Sequence, residues 1–209
     1  MTNLNATAAV TVFAVAATGI GAAGCNRDAS SPAAPFASSP ASPGPASPGS
    51  ASRRSASAQP VDYTRLLITA RDILAPGDSF AAQPAILDPN GTQGAEVLFT
   101  NHDQTRAVGD SIIILPDSAA APGTLQQAST VLGTSVTGGD PQPSPVGAGG
   151  TLVSGMSPDQ SKTVTILLFT EGRAFTRLEF DSAPGQSTPA DFITDTGQKQ
   201  DIALRTGLP

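Results

Sequence analysis

From residue 61 onward, apolar and polar positions alternate in short runs separated by Gly, Pro, Asn and Asp. "RLLIT" (65–69) reads as a first strand or a strand-like lead-in. "AEVLFTN" (95–101) and "DSIIILP" (110–116) read as strands, with the polar loop "HDQTRAVG" between them. "LDPNGTQG" (87–94) is a turn cluster, sharpest at Asn90-Gly91. A helix is predicted over 124–132, where Leu125, Ala128 and Leu132 share a stripe and Gly133 ends it. Three more strands follow, at 151–155, 161–170 and 173–182.

In the last two strands the period of two is clearest. Val164, Ile166 and Leu168 alternate with Thr163, Thr165 and Leu167, while Leu178 and Phe180 alternate with Arg177, Glu179 and Asp181. The final strand therefore has one wet face at its far end, and Glu171-Gly172 is a tight connection. A closing helix is signalled by Thr188-Pro189-Ala190-Asp191, a capping residue, a proline at the first helical position and an acid to complete a capping box. Ile193, Gly197, Gln200 and Leu204 form its inner stripe with Phe192 and Ala203, and Gly207 marks its end. Consecutive strands on short turns imply an α+β fold, an antiparallel sheet of about five strands flanked by two main helices over residues 61–209.

The first sixty residues have a different texture. Residues 6–20, "ATAAVTVFAVAATGI", carry no charge and many small apolar side chains; "GAAG" follows, then Cys25, the only cysteine of the chain. An apolar run of this length followed by small residues is the pattern of an export signal. The segment Ala22-Ala23-Gly24-Cys25 resembles the bacterial lipobox. That resemblance implies residues 1–24 as a lipoprotein signal peptide, cleavage before Cys25, diacylglycerol on its thiol and acylation of its amine. Two or more acyl chains hold a membrane stably where one does so only marginally. An ordinary cleaved signal with an incidental cysteine and an uncleaved anchor are the alternative readings. The anchor is disfavoured because Ala, Thr and Gly supply little transfer energy for a span. Residues 26–60 contain 28 Ala, Ser, Pro or Gly among 35. So little apolar surface cannot offset the entropy of ordering, and 25–60 is expected to be a disordered tether reaching roughly 30 Å.

Charge narrows the partners. From residue 61 there are 16 acidic and 8 basic residues. An acidic domain excludes nucleic acid, since phosphate neutralisation needs a basic surface. A catalytic set is not legible. His102 is the only histidine and sits in a predicted loop beside Asp103. A metal site needs further His or Cys ligands that the domain lacks, and no G-x-S-x-G elbow is present. Glu179 and Asp181 share a strand face and could serve acid–base chemistry, but they read as a wet face balanced by Arg177. "VGAGGTLVSG" fits neither a phosphate loop nor a dinucleotide turn. Asp88 in "DPNG" lacks the later acids of a calcium loop and reads as a turn residue. No metal or cofactor is expected.

The lipobox and Ser/Pro tether resemble mycobacterial and related actinobacterial envelope lipoproteins. The segments "AEVLFTN", "DSIIILP", "GGTLVSG", "KTVTILLFTEGRAFTRLEFDS" and "DFITDTGQKQDIAL" look like the LpqN/LpqT type, whose domains are similar to PsbP-like folds. The resemblance implies a lipid-anchored protein on the extracytoplasmic face of the bacterial membrane. Its domain is then a non-catalytic accessory or binding module for an envelope protein or an apolar (lipid) ligand. An envelope hydrolase and a ligand-sensing extracytoplasmic module stand as alternatives.

Overall fold

The structure, a computed structural model, describes residues 61–208. The residues of the expected signal and tether, Cys25 included, lie outside this range. The chain enters through a 3-10 turn, Thr64–Leu66, and leaves it extended at Leu67. Eight strands follow: β1 (Phe80–Ala82), β2 (Ile86–Leu87), β3 (Gly94–Asn101), β4 (Ala107–Ile114), β5 (Gln142–Pro143), β6 (Ala148–Met156), β7 (Thr163–Glu171) and β8 (Ala174–Ser182). Helix α1 (Ala121–Thr130) lies between β4 and β5, and α2 (Ala190–Gly207) closes the chain. The strands make one antiparallel sheet in the order β1-β3-β4-β8-β7-β6-β5, with β2 also pairing β3.

The α+β architecture is as expected, and the strand count is not: the sheet of the described residues has eight rather than about five. The additional strands, β1, β2 and β5, are two or three residues long. Runs that short carry no alternation and exist because β3 or β6 offers them a partner. "RLLIT" is not a strand. Its Leu66, Leu67 and Ile68 are buried by packing rather than by sheet pairing. Helix α1 begins three residues before the expected start, since Pro122 and Gly123 fit a first turn, where a missing N–H costs nothing. Asp117 caps the preceding turn by accepting from Ala120 N at 3.0 Å. The capping box at α2 does not form: the helix starts at Ala190, and Asp191 accepts from Phe192 N instead.

The two helices cover opposite faces of the sheet. Under α2 and the lead-in turn lies the larger core, including Leu66, Phe99, Ile112, Leu167, Phe169, Phe180 and Leu204. Under α1 lies the smaller one, built on Val153, Val164, Ile166, Leu168 and Phe175. Strand β7 serves both, which is why eight of its nine residues are buried. The β7–β8 loop is two residues, and Gly172 there has φ +54°, a left-handed conformation that glycine adopts without cost.

Strand β6 is shielded at its outer side by the chain after α1. Thr137 and Met156 exchange backbone hydrogen bonds of 2.8 and 2.9 Å. A Cβ on Gly155 would stand 2.2 Å from Thr137 O. Gly155→Ala must therefore displace backbone, and it is expected to cost about 2 kcal/mol in urea unfolding. An unchanged midpoint would contradict this close approach.

Candidate functional site

Alternation along β3, β4 and β8 sends every second residue to the α1 side of the sheet. Helix α1 sits over β7 and the near parts of β6 and β8. The core beneath it draws nothing from β3 and only Ile113, at its margin, from β4. The β3–β4–β8 half of that face is consequently half-exposed. Its rows follow from the register. Glu96, Ser111 and Arg177 stand side by side, then Leu98, Gly109 and Glu179, then Thr100, Ala107 and Asp181. Down its middle, β4 contributes Ala107, Gly109 and Ser111, a shallow floor between two bulkier strands. The nearest neighbour of a Cβ on Gly109 would be Glu179 Cβ at 3.9 Å, so no chain lies over this floor.

The charges at its rim are organised. Glu179 pairs with Arg177 and lies 3.5 Å from Lys162 Nζ, while Lys162 also pairs with Asp181. Burial, and then the neighbouring Glu179 carboxylate, push the Asp181 carboxyl up to about 6 against the pull of Lys162. The expected wet face balanced by Arg177 is what the structure contains, with Lys162 as a second cation that the sequence did not reveal. Glu96 stands apart. Its carboxyl is raised above the ordinary carboxylate range by burial, and its Oε2 is enclosed without a hydrogen-bond partner.

On the other face the polar residues are interior. Asp110 is 1% exposed and Gln200 is 0% exposed. Both accept from Ile68 N, Asp110 Oδ2 at 3.1 Å and Gln200 Oε1 at 2.9 Å, while Gln200 Nε2 donates to Leu66 O at 2.9 Å. Loss of hydration pushes the Asp110 carboxyl up to about 8, against the single backbone hydrogen bond that favours its charge. Where α2 begins, Phe192 stacks on Phe80 at 6.3 Å and meets Phe180 edge-on at 5.8 Å. The cleft they form with Arg106, Val108 and Thr188 holds about 10 Å³, about one water. An acyl chain does not fit it.

The remaining sequence candidates are dispersed. His102 is exposed on the β3–β4 loop, where Asp103 instead accepts from Thr105 Oγ1 at 2.8 Å. Asp88 closes its own turn, accepting from Gly94 N at 3.0 Å. Among the described residues no group of three or more His, Cys, Asp or Glu could hold a metal ion. No helix among them is long and apolar enough to cross a membrane. Ala22, Ala23, Gly24 and Cys25 lie outside the described residues.

No protein-family profile and no curated protein matches the sequence. Among solved structures, the chain is similar to the extracellular domain of PknH from Mycobacterium tuberculosis, with a TM-score of 0.52 and 13% identity. The match covers 71% of this chain and 98% of that domain. At this identity the likeness is one of fold: the α+β sheet described above is also the architecture of a mycobacterial extracellular domain.

Proposed function

We propose that this protein is a lipid-anchored envelope module of the bacterial cell surface, similar to the LpqN/LpqT type with its PsbP-like fold. In this reading Cys25 carries the lipid, residues 26–60 hold the domain off the membrane, and the domain binds without catalysis. The observation that carries the binding role is the uncovered β3–β4–β8 face, with its small-residue floor and charged rim. A protein segment bearing a cationic side chain is the occupant that suits it. Glu179 and Asp181 already have cations in Lys162 and Arg177, although Asp181 Oδ1 has no hydrogen-bond partner; Glu96 Oε2 has none either, and no ion pair is formed at that carboxyl's Oε2. A Lys or Arg from a partner, meeting the half-exposed Glu96 side chain as its carboxyl turns outward, supplies one and relieves a half-buried carboxyl group. The fold shared with an extracellular domain supports the extracytoplasmic setting.

Two measurements test the two halves of this reading. A clickable fatty acid fed to cells is expected to label the wild-type chain and not Cys25→Ser; an unlabelled wild type removes the anchor. For the face, a photo-crosslinking amino acid is placed at Ser111, and in a second chain at Gln198 on the exposed side of α2. A discrete adduct from position 111 alone, joined to a Lys- or Arg-containing segment, is the expected result. No adduct, equal adducts from both positions, or an adduct to an uncharged segment overturns the proposed occupant.

A further inference from the structure

The lead-in segment, residues 63–68, lies where the tether meets the domain, and two interior side chains grip its backbone. Ile68 N donates to both Asp110 on β4 and Gln200 on α2, and Leu66 O accepts from Gln200. Asp110 Oδ1, Thr176 Oγ1 and Thr196 Oγ1 are all enclosed without hydrogen-bond partners. Thr176 pairs with Ile112, one step diagonal from Asp110 on the same sheet face, and Thr196 is one helical turn before Gln200.

No charge supports the Asp110 carboxyl from any surrounding element. Across β3 and β8 its partners are Val97 and Leu178. The ionisable residues of those strands, Glu96, Arg177, Glu179 and Asp181, belong to the opposite face by alternation. On α2, Lys199 is engaged by Asp195 and Asp72 O, and Asp201 by Arg205. On the lead-in segment Arg65 reaches away to Gly207 O.

We propose that Asp110 and Gln200 form a proton-controlled latch on the lead-in segment, in which the neutral Asp110 carboxyl is compatible with a seated segment and its ionisation favours an unseated one. The reason is solvation. With residues 63–68 in place, a carboxylate at this position has one N–H donor and is shut off from bulk solvent. With the segment lifted, water reaches it. A proton is thus bound more tightly in the closed form than in the open one. The opening equilibrium then rises with pH, by about tenfold per unit, from the ordinary carboxylate range up to the buried one. Acid fastens the segment and alkali frees it; resting on the proposed function, in which residues 26–60 are a tether, its attachment to the domain responds to the proton concentration outside the membrane.

Amide hydrogen exchange on the full chain between pH 5 and 7.5, corrected for intrinsic base catalysis, reads this directly. Protection at Ile68 is expected to fall about tenfold per pH unit in the wild type and to stay level in Asp110→Asn. Leu167, at the centre of β7, is expected to remain more protected than Ile68 throughout. Equal pH slopes in the two proteins overturn the latch. So does a common protection at Ile68 and Leu167, which marks global unfolding only. Should Asp110→Asn fail to fold, a carboxyl carbon NMR titration of the wild type decides. Ionisation of Asp110 below pH 5 rejects the latch; ionisation well above it, with the Ile68 amide resonance moving in step, supports it.

Discussion

Asp110→Asn is expected to raise the stability of the folded chain at pH 7 by about 2–4 kcal/mol and to lose that advantage near pH 4. Unfolded, the Asp110 carboxyl ionises near 3.8; folded, it does so at about 8. Across that window the native state holds a proton that the unfolded chain releases. Wild-type stability therefore falls as pH rises, by up to about 1.4 kcal/mol per unit, and levels off above the folded value. Asparagine keeps the acceptor for Ile68 N and cannot ionise. Its amide N–H groups take the place of the enclosed and unpartnered Oδ1, and an unmet donor there holds the expected gain below the full proton linkage. Urea unfolding of both proteins at pH 4.5, 6 and 7.5 checks the claim. A gap that does not widen with pH would show that Asp110 is not held neutral by its surroundings.

The second large effect runs the other way. Phe169→Ala is expected to destabilise the domain by about 4 kcal/mol. The Phe169 ring is 0% exposed and belongs to the core beneath α2. It also lies over the chain at Gly147: a Cβ there would be 2.4 Å from Phe169 Cδ2. Gly147 has φ +58°, so its backbone is turned as glycine allows and comes close to the ring. Removing the ring leaves a cavity flanked by sheet and loop. The loop can collapse only by giving up that turn, which keeps the cost near the upper part of the range for aromatic truncation. Thermal and urea denaturation would both register the loss. A change below about 1.5 kcal/mol would mean that the loop refills the space.

The long strands and both helices were legible because each carries a full period of its pattern. The α2 stripe even placed Gln200 facing inward, since residues 193, 197, 200 and 204 recur at helical spacing. What Gln200 bonds was not legible, because Leu66 and Ile68 are more than 130 residues away and no local signal links them. Asp110 was missed for a different reason. Starting the strand at 110 put the acid at its mouth, where acids are ordinary. The strand starts at Ala107, and the phase of Ile112 and Ile114, carried back through 110 to Val108, sends the carboxyl inward. That phase was the available signal. Lys162 joined Glu179 and Asp181 only once register set the start of β7 beside the end of β8. "RLLIT" was legible as a lead-in but not as a 3-10 turn, because an apolar run reports burial, not the means of burial: a strand and a covered 3-10 turn look alike at five residues.

The junction of first turn and last helix has a mechanical corollary. Arg65 Nη1 grips Gly207 O at 2.9 Å, and Gln200 and Asp110 hold Leu66 and Ile68. Traction applied at Val61 is therefore delivered at once to α2 and to β4, an interior strand flanked by β3 and β8. Such a load must shear several bonds together, whereas a chain that led straight into β1 would let its edge strand peel away one bond at a time. Forced rupture is governed by the unfolding barrier, and this geometry raises it for a load that enters at the start of the domain.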